Sequence, residues 1–143
     1  MANPTGRMSD SQIKTSDLDR GVTRVHLVGE VDIATAERLQ GALDDLIRDG
    51  HTRLLVDLTE VSFIDSTGLG VLLHTVKQLR RRRGRLVVLC PDPTMRALFE
   101  LVGHNLLFPV DETLERALTH LRPRRSRFGA PASRRGMQTG PRS

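Results

Sequence analysis

Between residues 33 and 121 the apolar positions alternate between two spacings. Leu39, Ala42, Leu43, Leu46 and Ile47 fall three and four apart. They describe one face of a helix that begins near Ile33. Arg48 lies in its last turn, and Gly50 sits where a helix C-terminus favours glycine. "RLLVDL" at 53–58 is a run of strand length with apolar residues at both parities, as in a strand buried on both sides. Leu69, Leu72, Leu73, Val76 and Leu79 return to helical spacing and run into "RRRRGR" at 80–85. "RLVVLC" at 85–90 is again a buried strand, punctuated by Pro91 and Pro93. Met95, Leu98, Phe99 and Val102 form the apolar face of a short third helix closed by Gly103. "NLLFPV" at 105–110 reads as the last strand. Asp111 or Thr113 then caps a fourth helix whose apolar face is Leu114, Ala117, Leu118 and Leu121. Upstream, "QIKTSDL" at 12–18 suits a short edge strand, "DRG" at 19–21 a turn, and "VTRVHLVG" at 22–29 a strand, together a hairpin.

A hairpin followed by alternating helices and strands predicts an α/β fold with a mostly parallel sheet and crossover helices. One domain over residues 12–121 accommodates all of these elements. Aromatic residues are 3% of the 143, with no Trp or Tyr, so the core must be aliphatic. No apolar run approaches the ~20 residues of a membrane helix, and the polar N-terminus lacks the apolar stretch of a secretory signal. The single Cys90 cannot form an internal disulfide or a multi-cysteine metal site. These features lead to the expectation of a cytoplasmic protein without a bound metal or cofactor.

The formal charge of +5 first suggests nucleic acid, but its distribution changes the picture. Seven arginines and no acid lie from Arg122 onward, and residues 1–121 hold 15 basic against 17 acidic residues. The basicity therefore belongs to a Pro-, Gly-, Ser- and Arg-rich tail at 122–143, expected to be disordered, as is the segment 1–11. Nucleic acid is expected as a partner only weakly, through that tail. The run Arg80–Arg83 reads as a solvated helix end, with partner contact as the alternative. Asp57 either belongs to a binding edge or solvates the end of its strand.

The candidate chemistry is concentrated in "VSFIDSTGLG" at 61–70, at a strand-to-helix junction where open α/β sheets bind ligands and partners. Asp65 or Ser66 is placed to cap the second helix. Gly68 and Gly70 in its first turn each weaken a helix by about 1 kcal/mol relative to Ala, which suggests a backbone that something approaches closely. A dinucleotide fingerprint would need glycine where Leu73 stands, and a phosphate loop would need lysine where Val71 stands. A nucleophile elbow would need glycine at Ile64. None of the five histidines is paired by spacing with Ser66. An enzyme is not expected. Modification of Ser66 is the remaining chemistry: a phosphate at a helix N-terminus meets free N–H groups and adds about −1.5 to −2 charge beside Asp65.

"LLVDLTEVSFIDSTGLGVLL" resembles the signature of the STAS domain, specifically the bacterial anti-sigma factor antagonists, and "VGEVD" at 28–32 resembles that family's second recurring motif. The resemblance spans about residues 12–121. It implies a small mixed, mostly parallel sheet of four or five strands, with about four helices largely on one side. It further implies a protein that binds an anti-sigma factor, itself a serine kinase, and so frees a sigma factor. The kinase would hold the ATP and phosphorylate Ser66, which disables binding, and a metal-dependent serine phosphatase would reverse this. Asp65 and Thr67 would flank the phosphoacceptor, Gly68, Leu69 and Gly70 would shape the docking surface, and Asp32 would correspond to an acid near it. Thr67 departs from the family pattern, where a second serine is frequent, but keeps a hydroxyl. The alternative within the family is a subunit or scaffold of a transporter or signalling complex without a phosphoswitch.

Overall fold

The structure, a computed structural model, describes residues 12–102 and 108–122. Strand β1 (Gln12–Asp17) and strand β2 (Thr23–Val31) pair antiparallel around a short 3-10 turn at Asp19–Gly21. Helix α1 (Ile33–Arg48), strand β3 (Arg53–Ile64), helix α2 (Ser66–Arg80), strand β4 (Arg85–Leu89), helix α3 (Pro93–Val102), strand β5 (Val110–Asp111) and helix α4 (Leu114–Leu121) follow. The sheet order is β1-β2-β3-β4-β5, parallel from β2 onward. Each new strand is laid beside the last, and crossovers of one hand then put every connecting helix on the same face. The main core lies between that face and α1, α2 and α3, and includes Val25, Leu39, Leu43, Leu54, Val56, Leu72 and Phe99. Alone on the other face, α4 covers Val22, Leu55, Val87 and Leu89 with Ala117 and Leu121. Strands β3 and β4 are thus buried on both sides, as their unbroken apolar runs predict.

Four details differ from the expectation. Strand β3 runs to Ile64 rather than ending near 58, and β2 continues to Val31. The pairing skips a β3 residue twice, between His26↔Asp57 and Val28↔Glu60 and again between Gly29↔Val61 and Glu30↔Phe63. Such bulges break the period-2 alternation by which a strand is recognised, so residues 59–64 do not look like strand. Gly29 adopts φ 98°, a backbone that side chains disfavour, at the second irregularity. The last strand comprises Val110 and Asp111, with Phe108 buried ahead of it. Residues 105–107 of the expected strand, the Val102 side chain, Gly103, residues 1–11 and the tail from 123 lie outside the described residues. Leu98, expected in the core, is 48% exposed, while α3 turns Met95 and Phe99 inward. For α4, Thr113 is the cap, its hydroxyl accepting from Arg116 N–H at 3.2 Å.

Because α4 is short, the open face keeps a charged cluster around Asp57, whose side chain has no exposure. Asp57 accepts from Arg24 Nε at 2.9 Å and from Thr59 N–H at 2.8 Å, with further bonds from Arg24 Nη2 and the Thr59 hydroxyl. His26 lies at 3.1 Å and bridges on to Glu60 at 2.9 Å. Burial alone would raise the Asp57 pKa, but the bonds from Thr59, Arg24 and His26 outweigh it and hold the carboxyl below its ordinary value. The Thr59 bonds fold Asp57 over the first bulge, so the same carboxylate pairs with Arg24 and fixes the strand irregularity. Cys90 is fully buried, and that burial pushes its thiol pKa up.

Replacing Asp57 by Ala should destabilise the fold by about 2–4 kcal/mol, since Arg24 and the Thr59 N–H lose their partner. The folded-state pKa lies below the unfolded one, so the carboxylate's contribution is complete above about pH 4 and disappears as pH falls through the folded value. Urea unfolding at pH 7 and in acid should therefore show a smaller acid loss for Asp57→Asn than for the native chain. Equal losses would remove Asp57 as a source of acid sensitivity.

Candidate functional site

The register of β2 with β3 builds the site. Val31 pairs with Ile64, so the next residues, Asp32 and Asp65, emerge together at the carboxyl edge of the sheet. Asp65 N–H donates to the Val31 carbonyl at 3.2 Å, tying the two strand ends. Each aspartate caps the helix that follows it. Asp32 accepts from Thr35 N–H at 3.0 Å. Asp65 Oδ1 accepts from Thr67 N–H at 3.0 Å and Gly68 N–H at 3.1 Å. The Thr35 bonds hold the Asp32 carboxyl below its ordinary pKa, so it remains an anion. Two adjacent helix N-termini thus each carry a fixed negative side chain, the sign that the helix dipole favours there.

Of the two residues proposed as cap for α2, Asp65 takes the role and Ser66 does not. Ser66 opens the helix as an exposed residue, with Thr67 exposed beside it. This separation matters chemically, because a group added to Ser66 leaves the cap in place. Two of the first-turn N–H groups are already engaged by Asp65, so a phosphate on Ser66 would meet less compensation than an uncapped helix offers and would add to the negative charge.

The two glycines have different reasons. A Cβ on Gly68 would lie 2.8 Å from both Ile64 Cγ1 and Val31 Cγ1. Gly68 is therefore required by the packing of α2 on the ends of β2 and β3 rather than by a visitor. A Cβ on Gly70 would meet nothing within 4 Å, and the residue is exposed. Leu69, half-buried, lines a shallow apolar groove of about 210 Å³ with Ile64, Ser66, Leu98 and Phe99. Ile33, directly after Asp32, is 63% exposed, Phe63 is 49% exposed, and Leu98 closes the groove from α3. These three were not legible as site residues. Leu98 fits a helical core stripe, and the exposure of Phe63 follows from the second bulge. Ile33, an apolar residue directly after a cap, was a signal that could have been used.

A five-stranded mixed sheet with three helices on one face, one on the other and two acidic helix caps adjacent at the strand ends defines the class of small α/β domain. The chain belongs to the STAS domain family, whose model matches residues 15–117. It is 39% identical over 93 residues to the anti-sigma-B factor antagonist of Listeria monocytogenes, covering 64% of this chain and 79% of that one. Among solved structures, an anti-sigma factor antagonist from Mycobacterium paratuberculosis superposes with TM-score 0.72 at 32% identity, covering 86% of this chain and all of that one. The Bacillus cell fate determinant SpoIIAA, in its phosphorylated form, superposes with TM-score 0.61 at 28% identity, covering 78% of this chain and all of the other. No helix among the described residues is long and apolar enough to cross a membrane.

The two glycines should respond oppositely to alanine. Gly70→Ala should raise stability by up to about 1 kcal/mol through helix propensity. Gly68→Ala should lower it by about 1–2 kcal/mol, because overpacking exceeds that gain. Asp65→Ala should cost about 1 kcal/mol as a lost cap. Thermal unfolding of the three variants checks the set, and equal effects at the two glycines would refute the packing role of Gly68.

Proposed function

We propose that this chain is an anti-sigma factor antagonist whose docking edge is centred on residues 65–70 and is switched by phosphorylation of Ser66. The observation that carries the reading is the placement of Ser66. Its side chain is exposed, stands directly after Asp65, a cap it does not supply, lies at the same strand edge as Asp32, and is bordered by Leu69, Leu98 and Phe99. An apolar groove with a polar rim suits a protein partner. The likeness to an antagonist structure in a phosphorylated form supports the same reading.

In this mechanism the unmodified edge binds an anti-sigma factor that is also a serine kinase, and the sigma factor is released. The kinase holds ATP and transfers its γ-phosphoryl group to Ser66 Oγ: the bond from the γ-phosphorus to the bridging oxygen breaks, ADP leaves, and the hydroxyl proton is released. The dianionic phosphate joins two fixed carboxylates. A partner surface that matched the original charge is repelled, and its desolvation cost rises. A metal-dependent serine phosphatase hydrolyses the ester and restores the edge. The chain acts as ligand and substrate in the cytoplasm; Thr67, Leu69, Gly70 and Asp32 contribute contact surface, and Gly68 seats the helix that presents them.

Ser66→Ala should bind the cognate anti-sigma factor within about threefold of the native chain yet take up no phosphate. Ser66→Asp should weaken binding by at least about tenfold, a change of about 1.4 kcal/mol. Intact mass after incubation with kinase and ATP, together with calorimetric titration, reads both. Undiminished phosphate uptake by Ser66→Ala would reject the site.

A further inference from the structure

The edge opposite Ser66 has a composition that the switch does not use. From Arg80 to Arg85 every residue is Arg or Gly, and all five arginines are exposed. A helix C-terminus attracts one or two cations through its dipole, which accounts for Arg80 and Arg81 but not for the rest. The turn is held firmly. Gly84 N–H donates to the Leu79 carbonyl at 2.7 Å, Arg83 takes φ 58°, and Arg82 Nη1 donates to the Ile47 carbonyl at 2.8 Å. A Cβ on Gly84 would lie 2.5 Å from the Thr52 carbonyl oxygen, so the turn is seated directly on the α1–β3 loop. Arg85, at the start of β4, is paired in register with Arg53 at the start of β3, whose Nη1 donates to the Arg20 carbonyl at 3.1 Å, so cations follow one another along the amino edge of the sheet. Adjacent like charges are unfavourable unless an anion is shared between them.

Among the described residues, ion pairs engage Arg24, Arg48, Arg96 and Arg116, and no arginine of this turn is in one. Arg80, Arg83 and Arg85 line a groove of about 350 Å³ between the turn and Pro109. Helix α4 ends at the same edge, where Arg122 lies near Arg20 and Val22. The sequence after Arg122 holds six more arginines and no acid. Asp17, Asp19, Asp45 and Asp49 also belong to this end of the fold, but Asp45 is paired with Arg48, and the acids remain outnumbered.

We propose that this arginine edge binds the phosphate backbone of a nucleic-acid duplex without sequence preference, while the Ser66 edge remains free on the far side of the sheet. The chemistry favours phosphodiesters. Guanidinium forks bind phosphate oxygens in pairs. With no Trp or Tyr in the chain, stacking platforms for unpaired bases are few. A membrane-seated segment interleaves its cations with Trp, Phe or Leu, and residues 80–85 contain none. The weak nucleic-acid contact expected of the tail would add to the fixed array that the folded turn supplies. The inference stands independently of the phosphoswitch.

The test is fluorescence anisotropy of a labelled duplex DNA of random sequence with the full chain, titrated at salt between about 50 and 200 mM. The expected result is binding that weakens steeply with salt. Arg80→Ser, Arg81→Ser, Arg83→Ser and Arg85→Ser combined should lower affinity at least about tenfold and flatten the log–log salt slope by about 3, with Arg82 retained for its bond to Ile47. Serine at the six tail arginines should leave a measurable share of the binding. If the fourfold variant fails to fold, Arg81→Glu and Arg85→Glu singly should each weaken binding several-fold. The proposal is overturned if the native chain does not bind the duplex at low salt, or if the edge variants bind as the native chain does. Equal binding to polyglutamate or to anionic phospholipid vesicles would also overturn it.

Discussion

Parallel strands laid down in chain order can be joined only by crossovers of one hand, and that constraint fixes nearly everything else in this molecule. It sends α1, α2 and α3 to one face of the sheet. It also aligns them, so that the helices start at the carboxyl ends of the strands and return to the amino ends. Donor-rich helix N-termini therefore collect at one edge and acceptor-rich C-termini at the other. The side chains follow that polarity: Asp32 and Asp65 at the first edge, Arg80–Arg83 and Arg85 at the second. A domain whose first 121 residues are nearly balanced in charge becomes strongly asymmetric through topology alone.

The edge at residues 65–70 divides its work between neighbours. Asp65 satisfies the helix, and Ser66 is left available. Gly68 brings α2 so close to Val31 and Ile64 that the exposed hydroxyl sits on a rigid base rather than on a loop. Two bulges in β3 precede that base, and the Thr59–Asp57 bonds hold the first of them. A group added to Ser66 would change the charge of this edge without displacing the cap.

Helix–strand alternation was legible because the aliphatic stripes are long and the faces unambiguous. The stripe through Leu39, Leu43 and Ile47 is buried as its spacing implies. The end of β3 was hidden because bulges break alternation. Leu98 was misassigned because a ten-residue helix packed along one side leaves part of its apolar face to solvent. Asp65, Ser66 and their neighbours were legible as a group, yet which of the two aspartate–serine oxygens caps α2 depends on backbone geometry that spacing does not encode. The Asp57 cluster depended on pairing between β2 and β3, thirty residues apart, and Arg24 and His26 carry no local sign of it.

Cys90 gives the chain a further property. Its thiol is the only one in the sequence, is completely covered, and is shifted by burial toward the protonated form. Thiolates, not thiols, react with peroxides and disulfides. Peroxides and disulfides therefore find no ready thiol here, and a thiol-based redox signal would have to be sensed by another molecule before it reached this one.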